Sequence, residues 1–115
     1  MIKKTMILTV ILFAMCSNLQ AQDLTRGEVI KLIAIATKPL NLSGVKLGGV
    51  NLSNLDLKGA NFSGAYLSET NFSGANLSGA NLKGADLKAA NLSYANLTGA
   101  ILTGADLQYV KGYKP

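Results

Sequence analysis

Residues 73–87 read SGANLSGANLKGADL, almost the same five letters three times running. From Leu40 onward that period holds. Its central positions are Leu42, Leu47, Leu52, Leu57, Phe62, Leu67, Phe72, Leu77, Leu82, Leu87, Leu92, Leu97, Leu102 and Leu107, with no polar exception. Two residues before most of these centres stands Ala; between the two stands usually Asn or Asp. Ser, Thr or Lys follows, then often Gly. A period of five fits neither the 3.6 of a helix nor the 2 of a strand. A single helix would smear the Leu residues around its circumference, and a single strand would send them to alternate faces. Five works when each pentad makes one straight side and one corner, with the large and small apolar residues facing a common axis. Asn and Gly suit the corner. The chain must then wind as a solenoid whose coils stack.

The motif A-[ND]-L-x-x, as in AlaAsnLeuSerGly at 75–79 and AlaAspLeuLysAla at 85–89, resembles that of the pentapeptide-repeat family. The resemblance runs over residues 40–109. It implies an all-β solenoid, a right-handed quadrilateral β-helix with four pentads per coil. About three and a half coils would stand ~17 Å tall at a strand spacing of ~4.8 Å. Four sides put residues twenty apart in one column. Leu42, Phe62, Leu82 and Leu102 form one internal column, and Leu52, Phe72 and Leu92 another. Phe62 and Phe72 then share a coil on opposite sides. Each buried Leu contributes about 1.5–3 kcal/mol, so a polar change at core position Leu77 should cripple folding.

The first coil carries Leu40, Val45, Val50 and Leu55 where later coils carry mostly Ala. Larger residues suit an end that meets another element, and an open solenoid end needs a cap. Residues 24–39, LTRGEVIKLIAIATKP, supply a candidate. Thr25 and Glu28 have capping-box spacing, and Leu24 and Val29 have that of a hydrophobic staple. Val29, Leu32, Ile33 and Ala36 make one helical stripe, widened by Ile30 and Ile35. Lys38 and Pro39 mark its stop. The β-rich KLIAIA leaves a strand as the rival reading. At the far end, Tyr109, Val110 and Tyr113 either close the last half coil or form a sticky end for a homodimer.

The start of the chain, MIKKTMILTVILFAMCSNLQAQ, reads as a secretory signal peptide. Lys3 and Lys4 are its basic segment, and Met6 to Met15 its apolar run, which is too short to span a bilayer comfortably. Cleavage after Ala21 is expected, although Leu19 is large for its position. Cys16 raises lipid attachment, but Phe13-Ala14-Met15 fits that processing badly. The division is a signal peptide at 1–21, a capping helix and linker at 22–39, the repeat solenoid at 40–110 and a tail at 111–115. The product is expected in the periplasm or outside the cell, with no transmembrane segment after cleavage.

Sites of chemistry are scarce. The 115 residues include no His, and their one Cys falls in the signal segment. That removes imidazole bases, His ligands and thiol catalysis from the rest. Asp56, Asp86 and Asp106 occupy the Asn/Asp slot and read as structural hydrogen-bond acceptors. Two stacked carboxylates, Asp86 and Asp106, make a weak cation site. From residue 22 the nine basic and six acidic residues leave a net charge of +3, spread out and unlike a nucleic-acid patch. No catalytic residue, metal or cofactor is expected.

One side of the repeat is less regular than its neighbours. It carries Lys46, Tyr66, Glu69, Asp86, Lys88, Asp106 and Tyr109, against repeated Asn and Ser elsewhere. A varied, aromatic, charged side on a rigid frame is a place for a partner, with drift on a tolerant solvent face as the alternative. The expected function is a non-enzymatic exported scaffold that binds a protein or envelope component. Two other readings follow, one from the resemblance and one from the rows of the repeat. Some members of the family that the chain resembles mimic DNA and protect topoisomerases, which requires a strongly negative surface. Stacked Ser, Thr and Asn rows could also meet ice or a polysaccharide, but here Lys83 breaks the row Ser43, Ser63, Thr103.

Overall fold

The computed structural model describes residues 24–37 and 39–114. The signal peptide read at 1–21, with Cys16, lies outside the described residues, as do Lys38 and Pro115. No described helix is long and apolar enough to cross a membrane.

The repeat folds into a four-sided ladder of parallel bridges between residues twenty apart. Asn41 pairs with Asn61, Asn61 with Asn81, and Asn81 with Ile101 on the first side. Lys46, Tyr66, Asp86 and Asp106 bridge in turn on the second. Asn51, Asn71, Asn91 and Lys111 do so on the third, and Asp56, Asn76 and Asn96 on the fourth. Each side gives one bridging residue, so the walls are ladders of isolated bridges rather than extended strands. The bonds are nonetheless regular: the Leu42 amide donates to Asn61 O at 2.7 Å, and the Asn61 amide to Leu40 O at 2.8 Å. At the corners the chain closes on itself, as where the Ala75 amide donates to Phe72 O at 2.9 Å. This accounts for backbone polarity without a helix or a wide sheet.

The interior follows the period. Leu42, Leu52, Phe62, Phe72, Leu77, Leu82 and Leu92 are buried, with Ala60, Ala65, Ala75, Ala80, Ala85 and Ala90 between the layers. Leu102, placed with them by the period, is only half-buried, and Leu97 and Leu107 with it. Among the described residues no further coil stacks on these three, so one flank of each side chain stays open.

One helix, α1 (Arg26–Ile35), precedes the repeat, and the strand reading of KLIAIA is set aside by it. Its start is a complete capping box: the Glu28 amide donates to Thr25 Oγ1 at 3.3 Å, and the Thr25 amide to Glu28 Oε2 at 2.7 Å. Val29 and Leu32 are buried against the core, Ile33 is partly buried, and Ile30 is 42% exposed. The apolar stripe is therefore narrower than the sequence pattern suggests, because Ile30 points away and Ala36 lies beyond the helix. The helix lies under the first coil. The Leu24 amide donates to Lys46 O at 3.3 Å. Arg26 Nη1 donates to Asn51 O at 2.8 Å and Ser53 O at 3.1 Å.

At the other end Gly112 has a φ of +75°, and a Cβ there would collide with the backbone of Ser93. Only Gly fits this approach. Val110 and Tyr113 then pack against the core, partly buried. Tyr109 does not join them; it is 77% exposed.

Candidate interaction face

Two devices recur on every regular side. In the first, the Asn or Asp oxygen accepts the amide two residues on, an Asx turn. Asn71 Oδ1 accepts from the Ser73 amide at 2.9 Å, and Asn91 Oδ1 from Ser93 at 3.0 Å. The carboxylates do the same work: Asp56 from Lys58 at 3.2 Å, Asp86 from Lys88 at 3.1 Å, and Asp106 from Gln108 at 3.0 Å. The slot needs one oxygen in one place, which is why Asn and Asp interchange there. In the second device, the chain turns the corner through a left-handed residue, and at nine corners that residue is Gly.

The second side gives up each device in part, although Asp86 and Asp106 keep the first and Gly49 the second. At Lys46 and Tyr66 the slot holds side chains with no oxygen that reaches the amide of Gly48 or Ser68. At its corner, Gly49 is followed in later coils by Glu69, Ala89 and Tyr109, at φ of 60°, 59° and 60°. A left-handed conformation costs an L-residue roughly 1–2 kcal/mol relative to the right-handed one. Two other non-Gly residues, Asn54 and Tyr94, adopt it in the rest of the described chain, both at the corner after the third side. On the first side all four corner residues, Gly44, Gly64, Gly84 and Gly104, are Gly.

The seven residues singled out from the sequence therefore share one side. Lys46, Tyr66, Asp86 and Asp106 are successive bridge positions, Lys88 lies two residues past Asp86, and Glu69 and Tyr109 stand at the corner. Tyr66 is 54% exposed. Strained backbone and exposed aromatics at one place are features that recur at functional sites.

Three features escape a reading of the period alone. Tyr94, at a left-handed corner, is 96% exposed; its signal in the sequence is a Tyr where Gly recurs. Thr70 stands among the Ala positions, wholly buried, with its hydroxyl donating to Leu47 O at 2.7 Å. Arg26 holds two carbonyls of the first coil, and nothing in the repeat announces it. Among the described residues no group of three or more His, Cys, Asp or Glu comes together to hold a metal.

Comparison with known proteins agrees with this architecture. The family described as pentapeptide repeats matches over residues 41–74 and 70–108, in eight copies. Its members fold as right-handed quadrilateral β-helices. A search of curated proteins finds no match. Among solved structures, a pentapeptide repeat protein from the Arabidopsis thaliana thylakoid lumen is 38% identical, over 64% of this chain and 48% of its own, with a TM-score of 0.41. HetL, a pentapeptide repeat protein involved in heterocyst differentiation regulation in the cyanobacterium Nostoc, is 36% identical over 61% of this chain and 39% of its own, with a TM-score of 0.38. QnrB1, a plasmid-mediated fluoroquinolone resistance protein, is 30% identical over 62% and 36%, with a TM-score of 0.36. This chain thus spans less than half the length of each of these three.

Proposed function

We propose that this chain, which belongs to the pentapeptide-repeat family, is an exported, non-enzymatic scaffold that holds a protein or envelope component against its second side. The observation that carries the reading is the concentration of losses on that one side, where Lys46 and Tyr66 lack the Asx oxygen and Glu69, Ala89 and Tyr109 replace the corner glycine. The first and fourth sides keep Gly at every corner. A drifting solvent face would relax toward Gly and Asn, the residues the geometry favours. A side that keeps Tyr66, Glu69, Ala89 and Tyr109 against that preference has a reason to present those side chains.

Export rests on the sequence pattern at 1–21. Cell fractionation with intact mass tests it: a periplasmic or secreted species beginning at Gln22 supports it, and an uncleaved cytoplasmic species refutes it. A lipid-modified mass at Cys16 would make the scaffold membrane-tethered.

Partner binding is tested by cross-linking in the native compartment. Tyr66→Ala with Lys88→Glu should abolish the wild-type cross-link while the melting temperature holds. The paired change Asn76→Ala with Ser78→Ala on the fourth side should leave the cross-link intact. Equal loss from both pairs, or from neither, removes the second side from consideration.

The DNA-mimic reading implied by the family finds poor support in charge. From residue 22 onward the sequence is net basic, and such mimicry needs the opposite sign. Protection of gyrase supercoiling by the purified chain would reinstate it. A glycan or ice array is disfavoured by Lys83, which interrupts the Ser and Thr row of the first side.

A further inference from the structure

Between the end of helix α1 and the fourth side of the first coil lies an open cleft of about 300 Å³. Ile33 of the helix, with Pro39 and Leu40 after it, gives the cleft an apolar wall, and Asp56 and Lys58 of the fourth side border it. Ile33 and Leu40 are partly buried, whereas Asp56 and Lys58 are exposed. Apolar surface therefore lies deep, and two opposite charges lie at the rim. Pro39 sits close against the corner of the fourth side: a Cβ at Gly59 would stand 3.3 Å from Pro39 Cγ. That seat holds the wall in place, so the cleft is formed before any ligand arrives.

The fold needs neither charge. Asp56 Oδ1 accepts the Lys58 amide at 3.2 Å, and Asn76 Nδ2 donates to the same oxygen at 3.4 Å. Asn76 and Asn96 make the same turn, at the same bearing, in later coils. Asp56 Oδ2 takes no part in these bonds. Above Lys58 stand Ser78 and Thr98. Of the outward positions 56, 76, 96 and 58, 78, 98, the two that border the cleft are the two that carry charge.

We propose that this cleft binds a short apolar peptide with free termini, a dipeptide in its zwitterionic form. Asp56 receives the ammonium, Lys58 receives the carboxylate, and an aliphatic side chain covers Ile33 and Leu40. The spacing selects this ligand. Residues two apart along a side are separated by about 6.6 Å, and the charged ends of an extended dipeptide span much the same distance. The two charges of a free amino acid are joined through one carbon and reach one partner at a time. The volume is at the small end of what ligand sites occupy. Both ion pairs form in solvent, where each contributes little, so affinity is low and falls with salt. The cleft shares no residue with the second side.

The test is a titration of the chain, processed as the cell leaves it, with leucyl-leucine, followed through amide chemical shifts by two-dimensional NMR. Saturable shifts are expected at Ile33, Ala36, Leu40 and Lys58, with Leu82 and Leu87 unmoved. Free leucine, glycylglycine and the dipeptide capped at both termini should each bind more weakly. Asp56→Asn keeps the turn acceptor and Lys58→Met keeps the stem, so both variants should unfold at the wild-type midpoint. Each should weaken binding about two- to fivefold, as the loss of one exposed ion pair implies, and the losses should multiply in the double variant. No saturable shift at the cleft, equal binding of the capped dipeptide or of glycylglycine, or unchanged affinity in the folded variants would each overturn the proposal.

Discussion

Phe62 and Phe72 meet edge to face inside the second coil, their ring centroids 5.9 Å apart and their planes at 79°. Both are wholly buried. They stand on opposite sides, so one aromatic contact ties the first wall to the third through the axis. Pairs of this geometry are worth ~0.5–1.5 kcal/mol beyond the area they bury. Phe72→Ala should cost about 3–5 kcal/mol. In a double-mutant cycle by urea unfolding, Phe62→Leu and Phe72→Leu should couple by ~0.5–1.5 kcal/mol. Strict additivity would show that the rings merely fill space.

Arg26 serves as a substitute for part of a missing coil. Arg26→Met keeps the stem and removes the donors to Asn51 O and Ser53 O. The expected loss is ~1.5–3 kcal/mol for a charged hydrogen-bonding group, confined to the first coil. Native-state hydrogen exchange should accelerate at Leu42, Leu47 and Leu52 and stay unchanged at Leu82 and Leu87. Uniform acceleration would mean that the cap governs global unfolding.

The Asn/Asp slot needs an acceptor and nothing more. Asp86→Asn should leave the unfolding midpoint where it is, while Asp86→Ala should lower stability by about 0.5–1.5 kcal/mol. The reverse exchange, Asn91→Asp, should be equally mild. A large effect of the neutral change would show that the charge of Asp86 matters to the fold.

Strain at the second side gives a prediction of unusual sign. Glu69→Gly and Tyr109→Gly each relieve ~1–2 kcal/mol of left-handed backbone and lose ~0.5–1 kcal/mol to the greater freedom of the unfolded chain. Each should therefore stabilise the protein slightly, by a few tenths to about 1 kcal/mol. Gly84→Ala should do the opposite. The proposed function adds that Glu69→Gly weakens partner cross-linking while raising the melting temperature.

The repeat made the fold legible because one letter in five is constrained by the same axis. Leu42, Phe62 and Leu82 fall into a column as soon as residues twenty apart are aligned. Leu102 belongs to that alignment too, yet burial depends on what lies above it, which periodicity does not encode. The irregular second side was visible as composition. Its strain was not, since Glu69 and Ala89 look ordinary until their φ angles are known. Arg26 was invisible for a different reason: its partners are backbone oxygens, and those carry no signature in any side chain. Thr70 left a faint trace, a hydroxyl among alanines, whose meaning appears only with Leu47 O beside it.

The twenty-residue bridge spacing also sets how such a chain tolerates insertion and deletion. Adding or removing twenty residues lengthens or shortens the stack and returns every side to its former bearing. Adding five is equally acceptable to the core, because the Leu and Ala pattern is unbroken. It nonetheless turns everything above the insertion by a quarter revolution. Placed between Tyr66 and Asp86, a single extra pentad would leave the molecule folded and carry Asp86, Lys88 and Tyr109 around the corner. The surface would be cut in two by a change to which the interior is blind.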